Sequence, residues 1–191
     1  MPRKDKVMKL RDIRKMNTIN DGTRTLSESI AIPEVANALL DWKKETGLTG
    51  ILIGGCAVSY YARPRGTTDV DYLFLVESDI PSDVKGFKRT RKGAFEHRGT
   101  GVEIEVITPI SINISQELVK YVFKTANLID GIRIASPSGL VALKLQRLKK
   151  YDEGDIVALV ELGTVDLTDA PITDEQRKLF IQITQKNSKP L

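Results

Sequence analysis

Hydrophobic and polar positions along this 191-residue chain change period several times, and the changes divide it into elements. Residues 1–28 show no clear period and are rich in charge, so loosely docked or irregular structure is expected there. Pro33 suits the first turn of a helix over residues 33–45, with Val35, Ala36, Leu39 and Leu40 on one face and Gly47 ending it. Residues 49–53 read as a short buried strand broken by Gly54 and Gly55, and 56–62 as a short helix. Pro64 and Gly66 mark a loop, and 69–76 reads as a second strand. Residues 78–93 are polar, with room for one helical turn; 94–97 and 101–108 form two strands around a turn at 98–101. A helix follows over 115–126, with Leu118, Val119, Val122, Phe123 and Ala126 on one side, and then a short strand at 132–135. Ser136 is a natural N-cap, with Pro137 opening a helix to about residue 150. Another helix covers 153–162, and Thr173 with Gln176 fits a capping box for a last helix to about 186. Strands mixed with helices come first and helices dominate afterwards. That is an α+β, or mixed α/β, layout, with one domain over 29–191 whose helical portion begins near 136.

Composition changes this picture little. Hydrophobic residues make up 41% and charged residues 28%, the balance of a folded globular chain. The single cysteine, Cys56, leaves no internal disulfide, and a reducing, cytoplasmic location is expected. No stretch approaches the roughly 20 apolar residues of a membrane helix, so no membrane partner is expected. The basic N-terminus lacks the apolar run of a secretory signal. Net charge is +4, with Lys and Arg crowded into residues 3–15 and again at Lys85, Lys88, Arg89, Arg91, Lys92 and Arg98. Such clusters attract a nucleotide or RNA; they are equally what a solvated face and a frayed terminus look like.

The chemistry concentrates in residues 53–76. Asp69 and Asp71 are one residue apart in a strand, so they share a face. Two adjacent carboxylates at the edge of a core are costly unless a positive group sits between them, and a divalent metal ion fits. In residues 102–107, Val102, Ile104 and Val106 alternate with Glu103 and Glu105, which supplies further carboxylates if the two strands are neighbours. An exposed strand face would give the same alternation. Gly54 and Gly55 allow a sharp turn and a close approach of backbone to ligand, and the helix that follows aims its first amides at that turn, favouring phosphate.

The pattern Gly-Gly, spacer, Asp-x-Asp and a later strand carboxylate resembles the nucleotidyltransferase superfamily of the DNA polymerase beta type. Within it, Leu52-Ile53-Gly54-Gly55-Cys56-Ala57-Val58 and Pro64-Arg65-Gly66-Thr67-Thr68-Asp69-Val70-Asp71 are similar to the small prokaryotic branch, with its minimal nucleotidyltransferases and AbiEii-type toxin enzymes. The resemblance covers roughly residues 34–162. It implies a small mixed sheet flanked by helices, and Mg2+ or Mn2+ held by Asp69, Asp71 and a third carboxylate that follows a glycine in a Gly-x-x-x-Asp-like strand. Counting from Gly101 selects Glu105 over Glu103, with glutamate where the branch more often has aspartate. It further implies transfer of a nucleoside monophosphate from a nucleoside triphosphate to an acceptor hydroxyl, with release of pyrophosphate. The acceptor in the toxin branch suggests tRNA or another RNA, and an antitoxin partner protein is a further possibility of that branch.

Two more residues match the branch. Lys144 falls inside the apolar stripe Leu140, Val141, Leu145 and Leu148, where a cation either reaches to solvent or meets an anion such as phosphate. Asp155 matches an acidic position; an acid in a first helical turn also simply complements the helix dipole. Arg65 and Thr67 are candidates for phosphate contacts or for loop chemistry alone. His97, the only histidine, is expected at the surface, and Cys56 and Trp42 are expected to pack. Two other readings stay open: a non-catalytic nucleotide-binding or antitoxin-like protein of the same fold, and a basic RNA-binding module.

Overall fold

A computed structural model describes residues 29–47, 49–62, 66–90, 93–149 and 151–187. The expectations for the basic segment 1–28 and for Arg65 lie outside these residues. The elements are α1 (Pro33–Thr46), β1 (Ile51–Ile53), α2 (Gly54–Tyr61), β2 (Asp69–Leu73), a 3-10 turn (Glu77–Asp79), β3 (Phe87–Arg89), β4 (Phe95–His97) and β5 (Glu103–Ile107). They continue as α3 (Gln116–Thr125), β6 (Asn127–Ile129), β7 (Ile132–Ile134), α4 (Pro137–Arg147), α5 (Asp152–Val160) and α6 (Asp174–Asn187). This is the α+β class.

The seven strands form one mixed sheet in the order β3-β4-β5-β2-β1-β7-β6. Strands β2 and β5 run parallel, as do β1 and β7; the other neighbours are antiparallel. Alternation divides the side chains between two faces. On one face Tyr72, Phe87 and Phe95 gather around Trp42 of α1, with ring centroids 5.1–5.8 Å apart. Trp42 is fully buried, and its indole N–H has no hydrogen-bond partner among the described residues. The packing of three aromatic neighbours holds it there. The opposite face carries Asp69, Asp71, Glu103 and Glu105, with Ile53 directly opposite Asp71 on β1 and Ile107 following Glu105 on β5.

The helices begin where local chemistry directs. Ser115 accepts a hydrogen bond from the Leu118 amide at 3.1 Å, and Ser136 from that of Gly139 at 3.1 Å. At the start of α6 the Thr173 amide donates to Gln176 Oε1 at 2.8 Å while the Gln176 amide donates to Thr173 Oγ1 at 3.3 Å, the reciprocal box expected there. Gly47 closes α1 at a φ of 67°. Helix α4 packs against α2, α3 and α5, and α5 against α6.

Four local expectations are corrected. Helix α2 begins at Gly54 rather than Cys56, so the glycine pair is its first turn and not a separate bend. Strand β3 lies in the segment read as polar turn, and β6 follows α3 after the single residue Ala126: both are three-residue edge strands, too short for a period to show. The strand from Asp69 ends at Leu73 rather than running on to Val76. His97 is buried, not at the surface: its Nε2 lies 3.0 Å from Asp41 Oδ2, and Nδ1 lies 2.8 Å from Thr100 Oγ1. With Nε2–H donating to the carboxylate and Nδ1 accepting from the hydroxyl, a neutral ring has both nitrogens satisfied.

Candidate metal centre

The site is made by strand register. In the parallel pair of β2 and β5, Asp69 stands opposite Glu103 and Asp71 opposite Glu105. Side chains directly opposite share a face, so four carboxylates line up two by two. Asp69, Asp71 and Glu105 converge further, each offering an oxygen within 4.8 Å of the others. Asp69 and Glu105 are exposed and Asp71 is half-buried, so the group has a closed end and an open end. Along the first row the register continues through Glu96 on β4 to Lys88 on the edge strand β3.

Crowding sets the electrostatics. Loss of solvent, then the neighbouring charges of Asp69 and Glu105 and a hydrogen bond with Glu105, push the Asp71 carboxyl up from 3.8 to about 6; Arg147 pulls the other way. Among the described residues no Lys or Arg forms a salt bridge with any of the three. Three carboxylates are hard oxygen donors, so Asp69, Asp71 and Glu105 are the residues that could hold a hard cation.

Two neighbours fix the carboxylates. The Thr67 hydroxyl is 3.0 Å from Asp69 Oδ1 and 3.3 Å from Asp69 O, so it holds the carboxylate and the strand entrance together. Gly54 takes a φ of 67°, and a Cβ there would lie 1.7 Å from Asp71 Oδ2. The glycine is needed twice, for its backbone angle and for the space that Asp71 fills. Gly55 follows inside the first turn of α2, where backbone amides lack an acceptor within the helix, and no side chain caps this end. Cys56 packs in the core, with Sγ 3.5 Å from Asp69 O.

Lys144, a further candidate, stands on α4. It is buried, and its ammonium lies 2.9 Å from Asp152 Oδ1 and 2.6 Å from Asp155 Oδ2, both also buried. Lys144 therefore meets an anion, as its place in the apolar stripe required, but the anions are carboxylates of α5. Asp155 is more than a dipole complement for the same reason. Asp152 Oδ2 also accepts from the Lys149 amide at 2.6 Å, so this aspartate ties the α4–α5 corner as well. Sequence reasoning passed over Asp152 and Arg147. The signal for Arg147 was its place one turn after Lys144; Asp152 could be found only by placing two helices against each other.

The chain matches no protein-family model and no curated protein.

Proposed function

We propose that the protein is a metal-dependent nucleotidyltransferase, which moves a nucleoside monophosphate from a nucleoside triphosphate to an acceptor hydroxyl. The convergence of Asp69, Asp71 and Glu105 within 4.8 Å, with Gly54 pressed against Asp71, carries this reading. Asp69, Asp71 and Glu105 would hold Mg2+ or Mn2+, which supplies charge neutralisation for a polyphosphate. The chain does the rest. Thr67 keeps Asp69 in place, and the first amides of α2, at Gly54 and Gly55, receive phosphate oxygens. Glu105, an exposed member of the trio, takes the proton of the acceptor hydroxyl. The acceptor oxygen bonds to the α-phosphorus as the bond to the bridging oxygen breaks, and that oxygen leaves with pyrophosphate.

An RNA acceptor is favoured by the resemblance to the toxin branch and by exposed Lys85, Lys88, Arg89 and Arg98 along the β3–β4 edge. The test is incubation of the protein with each α-labelled nucleoside triphosphate, Mg2+ and total cell extract, followed by separation of labelled RNA and protein. Label in one class of macromolecule, lost in Asp69→Asn and Asp71→Asn, is the expected result. Equal labelling by both variants and the unaltered chain would overturn the assignment of the carboxylates.

A further inference from the structure

An apolar pocket opens on the carboxylate face of the sheet, one residue pair inward from the site. Its floor is Ile53, opposite Asp71, and Ile107, two positions after Glu105. Ile112 and Ile114 from the segment after β5 and Leu140 and Leu143 from α4 form the walls. Gly54 and the α4 residues Lys144, Gln146 and Arg147 complete the lining. Gly54 lines the pocket and also lies against Asp71, so the pocket adjoins the carboxylates.

Its polar groups are unevenly placed. The Lys144 ammonium is already held by two aspartates. The Gln146 amide nitrogen donates to Gln176 Oε1 at 3.3 Å, and Gln176 Nε2 in turn donates to Leu145 O at 3.4 Å. Arg147 is exposed and makes no salt bridge among the described residues. The cavity is thus mainly aliphatic, and Arg147 in its lining is a cation without a salt bridge among the described residues, close enough to Asp71 to act on its charge. A ligand suited to it has a flat, weakly polar part joined to an anionic part.

We infer that this pocket receives the base of the nucleoside triphosphate, with Arg147 against the phosphate chain of the same molecule. The inference rests on the nucleotidyltransferase reading and adds to it where the nucleoside lies. Burial against six aliphatic side chains supplies affinity that the triphosphate alone lacks. Arg147 acts on the charged end and Ile112 and Leu143 on the base, so the two contributions separate experimentally.

Inorganic triphosphate is the discriminating probe, since it carries the charge without the base. Affinities of the full chain for Mg2+-ATP, Mg2+-CTP and Mg2+-triphosphate are compared by calorimetry, with Mn2+ binding followed separately by electron paramagnetic resonance. The unaltered protein is expected to bind at least one nucleotide about tenfold or more tighter than triphosphate. Ile112→Trp, which fills the pocket from the loop, should bring that nucleotide down to the triphosphate level and leave triphosphate and Mn2+ binding unchanged. Leu143→Phe gives the same comparison from the helix side if the first variant fails to fold. Arg147→Ala should weaken nucleotide and triphosphate alike. Equal binding of nucleotide and triphosphate by the unaltered protein, or a folded filling variant that keeps the full preference, overturns the pocket assignment while Mn2+ binding still supports the metal centre. Absence of Mn2+ binding overturns the functional reading and this inference with it.

Discussion

Gly54 and Asp71 occupy each other's space: a Cβ on the glycine would sit 1.7 Å from the aspartate's Oδ2. The backbone of α2 and the most buried carboxylate of the trio therefore cannot be adjusted separately. Gly54→Ala must displace the carboxylate or the helix start, and it imposes a left-handed φ on an alanine. The expected outcome is a fall in metal-dependent transfer of about 100-fold or more, as when catalytic groups shift by about an ångström. Stability is expected to fall by about 1–3 kcal/mol. Paired measurements of Mn2+ binding and urea unfolding check both.

Gly154 is the opposite case. It lies exposed in α5 with nothing within 4 Å of a Cβ and no positive φ. Gly154→Ala should stabilise the protein by about 0.5–1 kcal/mol, seen as a rise in Tm of about 2–4 °C, without altering transfer. A lower Tm would contradict the helical placement of this residue.

Asp71 makes stability depend on pH in a particular direction. An unfolded aspartate loses its proton near 3.8, whereas burial and the charges of Asp69 and Glu105 let folded Asp71 keep its proton to about 6. Between those values the folded chain binds more protons than the unfolded one. Stability from this group therefore falls as pH rises through that window and stays lower above it. The size is about 1–3 kcal/mol, after allowance for solvent at the open end of the site. Asp71→Asn should remove this dependence and raise the metal-free Tm at pH 7.5. Bound Mg2+ should raise the Tm of the unaltered protein but not of the variant. Thermal unfolding from pH 4 to 8, with and without Mg2+, decides it.

The buried group of Lys144, Asp152 and Asp155 predicts a loss of stability rather than a direct loss of chemistry. Lys144→Met leaves two buried aspartates facing each other without their cation. Stability should drop by about 3–5 kcal/mol in urea titrations. Adding Asp152→Asn and Asp155→Asn should recover much of it, because the uncompensated charges are then gone. If Lys144→Met unfolds like the unaltered chain yet transfers nothing, Lys144 acts on substrate and not on α5.

The sequence by itself carried the α+β class, because long periodic segments such as those of α1, α3 and α4 bury one stripe in any context. It carried the caps at Ser136 and Thr173, whose chemistry is confined to a few neighbouring residues. It also carried the candidacy of Asp69 and Asp71, because strand alternation alone puts them on one face. It could not register β2 against β5, and that parallel pairing alone sets Glu105 rather than Glu103 opposite Asp71. Nor could it find β3 and β6, whose three residues gain their hydrogen bonds only from a neighbouring strand. The burial of His97 against Asp41 and the capture of Lys144 by Asp152 and Asp155 were likewise decided only by the tertiary structure. A charged side chain's partner is set by distance in space, and these partners lie on different elements, brought within reach only when the sheet and helices pack.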